Sequence, residues 1–168
     1  MKKVVIIDTS ILCVWLRVPG KETCGLDGSR WTYDRVRDKI EEEVACGSTL
    51  IMPLATIIET GNHIAQSAGD RYGLVEEFAR HLEDAIDGKT PWAAFTQQSG
   101  LLAGDALKSM LGRWRETALS GQSLGDAMIV DVANCYAAYP VEIFTGDEGL
   151  KAYEPRIPVM TPRRRMKR

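Results

Sequence analysis

Three observations predict an α/β fold with a central, mainly parallel sheet. Short apolar runs rich in branched residues recur along the chain: KVVII at 3–7, STLIMP at 48–53 and PVEIFTGD at 140–147. Longer segments with helical spacing of apolar residues separate them. Alternation of that kind builds a parallel sheet flanked by helices, and a three-layer α/β/α sandwich is the expected form. The length, 168 residues, suits one domain with a substantial core and is too short for two ordinary ones. A single domain over 1–160 is expected, followed by a basic tail at 161–168 that is expected to be disordered.

The elements follow in order. KVVII is a continuous apolar run, as buried parallel strands are. Thr9 or Ser10 is placed to cap a helix beginning ILCVWLRV. Pro19-Gly20 ends it, and KETCGLDGS reads as a loop. In WTYDRVRDKIEEEVACG, Trp31, Val36, Ile40 and Val44 recur at roughly helical spacing, with Gly47 as a stop. STLIMP is a second strand, closed by Pro53. LATIIETGNHIAQSAG is a helix. DRYGLVEEFARHLEDAIDG is another, with Leu74, Phe78, Leu82 and Ile86 on one face. Residues 90–120 read as mostly helical with a break near Gln98–Gly100. LGDAMIVDVANCYAAY is the last clear helix. PVEIFTGD is a strand ending at Asp147, and IPVM at 157–160 is a candidate for one more.

Composition excludes several classes. No run approaches the ~20 apolar residues of a membrane span. The start, MKKVVIIDTSILCVWL, has the lysines and apolar residues of a leader, but Asp8 interrupts it after four apolar positions, so a cytoplasmic protein is expected. Four cysteines, Cys13, Cys24, Cys46 and Cys135, form no C-x-x-C pair. Only His63 and His81 could join them, so reduced thiols are expected rather than a zinc site. The net charge of −2 is uneven: without the terminal RRRMKR, 16 basic residues face 23 acidic ones. The tail therefore suits nucleic acid, an acidic partner or plain solvation.

The most informative residues are four acids at the ends of predicted elements: Asp8 in VVIIDTSIL, Glu59 in LATIIETGNH, Asp126 in SLGDAMIVDVA and Asp147 in VEIFTGDEGL. Ligands gather beyond the carboxyl ends of parallel strands, where strand order switches, and Asp8 and Asp147 belong at that edge. Clustered carboxylates repel one another, and a hard divalent cation relieves the repulsion. Such a cation also activates water and neutralises charge at a phosphodiester. Each acid has a local role open to it as well: a helix cap for Asp8, a favourable macrodipole contact for Asp126, an exposed helix position for Glu59, a turn for Asp147.

In this order, VVIIDTSIL, IIETGNH, SLGDAMIVDVA and FTGDEGL resemble the acidic motifs of the PIN domain, over residues 3 to about 150. The resemblance implies an α/β/α sandwich and a Mg²⁺- or Mn²⁺-dependent endoribonuclease, with RNA as substrate. It includes the VapC-type toxins of bacterial toxin–antitoxin pairs, and so a cognate antitoxin as partner. By position it assigns Asp8, Glu59, Asp126 and Asp147 to the metal, and Thr145 to a water or phosphate. Glu148 is the neighbouring choice for the last ligand, with Asp147 the better fit. The longer stretch at 88–118 is expected to cover the groove or to serve a partner or homodimer contact.

Other residues carry less. Asp131 points ~140° away from Asp126 on a helix. His63 lies one turn after Glu59 on the same face. Lys108, Arg113 and Arg115 beside Trp114 read as a solvated helix face. Competing functions are a non-catalytic RNA- or protein-binding module and a phosphatase of another α/β class. The D-x-D motif of haloacid-dehalogenase-like phosphatases would need a carboxylate where Ser10 stands, and no Walker-type loop is present.

Overall fold

A computed structural model describes residues 2–89 and 91–156. The IPVM segment and the basic tail lie outside the described residues. Strand β1 (Val4–Ile7) is buried at every position. It leads into helix α1 (Thr9–Trp15), where Ile11, Leu12, Cys13 and Val14 are all buried. A helix apolar on all sides belongs inside a core. Its cap is Asp8, the local role open to that acid, and not Thr9 or Ser10: Asp8 is extended, and its carboxylate accepts the Thr9 amide. Arg17 then takes a left-handed φ of 56°, with its guanidinium 3.8 Å from the ring centroid of Tyr33.

The expected loop after Gly20 contains a small antiparallel hairpin, β2 (Thr23–Cys24) with β3 (Trp31–Thr32). Helix α2 (Tyr33–Ala45) starts only after it, because Trp31 is spent in the hairpin, packing edge-on against Phe144 at 4.8 Å. Then come β4 (Thr49–Ile51), α3 (Leu54–Gln66) and α4 (Arg71–Ile86). The stretch read as mostly helical begins with a further strand, β5 (Trp92–Ala93), and a 3₁₀ segment (Phe95–Leu102) before α5 (Gly104–Ala118). Helix α6 (Leu124–Cys135), strand β6 (Val141–Phe144) and a one-turn helix α7 (Glu148–Lys151) complete the described chain.

The central sheet has the order β5-β4-β1-β6 and is parallel throughout. Val4 pairs with Thr49 on one side and Val141 on the other. Alternate residues of β1 feed two cores. Val5 and Ile7 join Leu12, Val36, Leu50 and Phe78, whereas Val4 and Ile6 join Ile129, Val132, Ile143 and Leu150. Each such side chain contributes roughly 1.5–3 kcal/mol by leaving water. Helices thus cover both sheet faces, an arrangement compatible with three layers. No helix among the described residues is long and apolar enough to cross a membrane.

Strand order fixes where a site belongs. The chain moves outward from β1 to β4 and β5, then crosses back to place β6 on the other side of β1. The switch point is therefore between β1 and β6, and the carboxyl ends of those two strands open onto one crevice. At the opposite end of the sheet, Lys3 and Lys39 share the carboxylates of Glu43 and Glu142, with Ser48 also donating to Glu43 at 2.6 Å. Burial opposes charge on Glu43, but the donors from Lys3, Lys39 and Ser48 outweigh it and hold the carboxyl at about 2.

Candidate active site

All four acids line one cleft of about 650 Å³ at the switch point. Asp8 arrives at the end of β1, with its amide continuing the ladder to the Phe144 carbonyl at 3.1 Å. It is only 7% exposed. Three donors fix its carboxylate: the Thr9 amide at 2.7 Å on Oδ1, and the hydroxyls of Ser10 at 2.7 Å and Thr145 at 2.8 Å on Oδ2. Thr145, buried at 5% exposure, also accepts the Asp147 amide at 2.9 Å. One hydroxyl therefore connects two of the acids.

Asp147 stands three residues past the end of β6, not on the strand as the sequence suggests. The chain turns at Thr145–Gly146, and Asp147 caps α7 by accepting the amides of Gly149 and Leu150 on Oδ1. Glu148 lines the same cleft. Asp126 is the third residue of α6 and forms a capping box: Ser123 accepts its amide at 3.0 Å, and its Oδ2 accepts the Ser123 amide at 2.9 Å. Glu59, half-buried on α3, accepts the Thr9 hydroxyl at 2.8 Å. Its place depends on Gly125, since a Cβ there would sit 2.2 Å from Glu59 Oε1. The glycine of LGDA thus lets the start of α6 come up against the Glu59 carboxylate.

No family model, no curated protein and no solved structure matches this chain. The functional reading rests on the residues themselves. Asp8, Glu59, Asp126 and Asp147 line one cleft and Thr145 bonds to two of them from beneath, although each aspartate also holds a local backbone turn.

Among the described residues, none of the four acids is in an ion pair. Asp126 Oδ1, Asp147 Oδ2 and Glu59 Oε1 carry no hydrogen bond there. Among the described residues, no three His, Cys, Asp or Glu side chains are gathered as a ready-made metal site. The donor set is nonetheless all oxygen, which fits a hard cation. Mg²⁺ in particular binds through one or two carboxylates and keeps several waters, so it does not require a closed cage.

The cleft also holds residues besides the four acids. Lys21 lines it, set there by the turn through Arg17 and Gly20, and is the one lysine or arginine among its described lining. His63 lines it too, one turn beyond Glu59. Cys13 and Cys24 complete that wall. Burial pushes the Cys13 thiol up to about 11 and Cys24 upward as well, so both stay protonated at neutral pH and neither is a ready nucleophile. Asp131 is outside the cleft, holding Arg113 through both oxygens at 2.7 Å and tying α5 to α6. Trp114 is half-buried and donates to the Gln122 carbonyl at 3.0 Å, while Lys108, Arg113 and Arg115 are exposed, as a solvated helix face is.

Proposed function

We propose that this chain is a divalent-metal-dependent endonuclease of the PIN-domain kind, a three-layer sandwich cutting phosphodiester bonds in RNA in the cytoplasm. The observation that carries the reading is the convergence of Asp8, Glu59, Asp126 and Asp147, from four distant segments, on one cleft at the switch point. A structural cluster would neutralise such carboxylates with lysine or arginine, as Glu43 and Glu142 are neutralised at the other end of the sheet.

Asp8, Glu59, Asp126 and Asp147 would hold Mg²⁺ or Mn²⁺. The bound ion supplies a lowered pKa for water and countercharge for the phosphate. The chain's own residues set the geometry. Ser10, Thr9 and Thr145 keep Asp8 in one orientation, so little reorganisation remains when a cation arrives. Lys21 offers the cleft's positive side chain to the phosphate backbone.

The test is direct. Asp8→Asn and Asp126→Asn proteins are expected to keep their fold by circular dichroism. Each is expected to lose at least about a hundredfold of Mn²⁺-dependent cleavage of single-stranded RNA, and undiminished cleavage by both overturns the site. Calorimetric titration with Mn²⁺ separates this activity from a binding module without catalysis, which would take up no metal. Membership among the toxins of toxin–antitoxin pairs rests on the motif resemblance alone. A small neighbouring reading frame encoding a partner is the observation that tests it.

A further inference from the structure

The acidic cleft does not end at the acids. Asp126, Asp147 and Gly149 also line a second chamber of about 260 Å³, closed on its far side by Thr117, Gln122 and Tyr153. We infer that this chamber seats the base of the nucleotide next to the phosphate held at the four acids, an inference that rests on the nuclease reading.

Its lining differs in kind from the cleft's. No lysine, arginine or histidine lines it among the described residues, so it offers nothing to a phosphate. It offers a phenol ring, hydroxyls and an amide instead. Tyr153 is 45% exposed despite its size, and an open aromatic face is what an unstacked base covers. Gln122 has its backbone fixed at both ends, its carbonyl accepting from Trp114 and its N–H donating to the Thr117 carbonyl. Its side-chain amide makes no hydrogen bond among the described residues and is free to pair with a base edge. The volume falls just under the roughly 300–1,000 Å³ of drug-sized pockets, which suits one base and not a duplex. A substrate that fills both spaces presents an unpaired base beside the held phosphate, so single-stranded RNA is the form that fits.

The experiment uses a fluorescein-labelled single-stranded oligoribonucleotide with Ca²⁺ in place of Mg²⁺, read by anisotropy on the full chain. Tyr153→Ala and Gln122→Ala are expected to weaken binding about tenfold, with Tyr153→Phe restoring it, since stacking needs only the ring. Unchanged thermal midpoints show that the variants are folded. Affinities within twofold of the parent chain for both alanine variants overturn the subsite. So does loss in Tyr153→Phe equal to that in Tyr153→Ala, or no binding by the parent chain. Failure of the nuclease reading shows separately, as binding of the oligonucleotide without any Mn²⁺-dependent hydrolysis of bis(p-nitrophenyl) phosphate.

Discussion

Thr145 donates to Asp8 Oδ2 and accepts the Asp147 amide through the same oxygen. Thr145→Val keeps the shape and removes both bonds, leaving a polar group unpaired in a buried setting. A loss of about 1–3 kcal/mol is expected in urea denaturation, together with reduced cleavage. Gly125→Ala should separate the two properties. The added methyl meets the mobile end of Glu59 rather than backbone, so stability should hold within about 0.5 kcal/mol. Cleavage should fall at least about tenfold because the carboxylate is displaced, and unchanged activity would show that Glu59 is dispensable. Asp8 was legible in the sequence because a carboxylate at the end of an apolar strand is conspicuous. Glu59 was weakly legible, since acids are common on helices and its position is fixed by a glycine 66 residues later. Lys21 was not legible at all, because a loop lysine carries no pattern until the chain has folded around it.

At the level of elements, the three main strands and most helices were readable because each has enough residues to show a period. The hairpin, β5 and α7 were not. They have two, two, two and four residues, too short to alternate or to complete a second turn. Their existence is decided by neighbours. Gly146 shows how tightly: a Cβ there would stand 2.7 Å from the Gly25 amide nitrogen and 2.9 Å from Cys24 Sγ. The turn after β6 and the tip of the hairpin therefore touch backbone to backbone. Gly146→Ala must push the hairpin away and is expected to cost about 1–3 kcal/mol. Because the hairpin also forms the Thr23–Leu26 wall of the cleft, limited proteolysis should cut the variant there first.

For the molecule as a whole, His81 and Glu43 link stability to acid pH. His81 lies between Trp15 and Trp92, with ring centroids 4.6 Å from each, and its Nε2 is buried without a partner. Burial, and to a lesser degree Arg80, outweighs the pull of Asp84 and lowers its pKa from 6.5 to about 4. A depressed value means that this contribution is complete above pH 6.5 and is lost as pH falls toward 4. The loss amounts to up to about 3 kcal/mol. Glu43 has its carboxyl held at about 2 against an ordinary 4.5, so its share persists above pH 4.5 and disappears only as pH falls through 2. Thermal midpoints should therefore decline in two stages on acidification. His81→Phe should abolish the first and leave the second; a midpoint that still falls between pH 6.5 and about 5 in that variant would exclude His81 as the cause.

The central strand has one more consequence. Among the described strands of the central sheet, β1 precedes the others, yet its neighbour β6 and the threonine that orients Asp8 follow them all, with Thr145 lying 137 residues beyond Asp8. A chain still being made on the ribosome has the first acid in hand and nothing to complete it. The bare edge of β1 waits, and loop closure over that distance is slow compared with local folding. Under the proposed activity, a nascent chain leaves the message it is being read from intact. On the same proposal, the capacity to cut would await the docking of β6 beside β1.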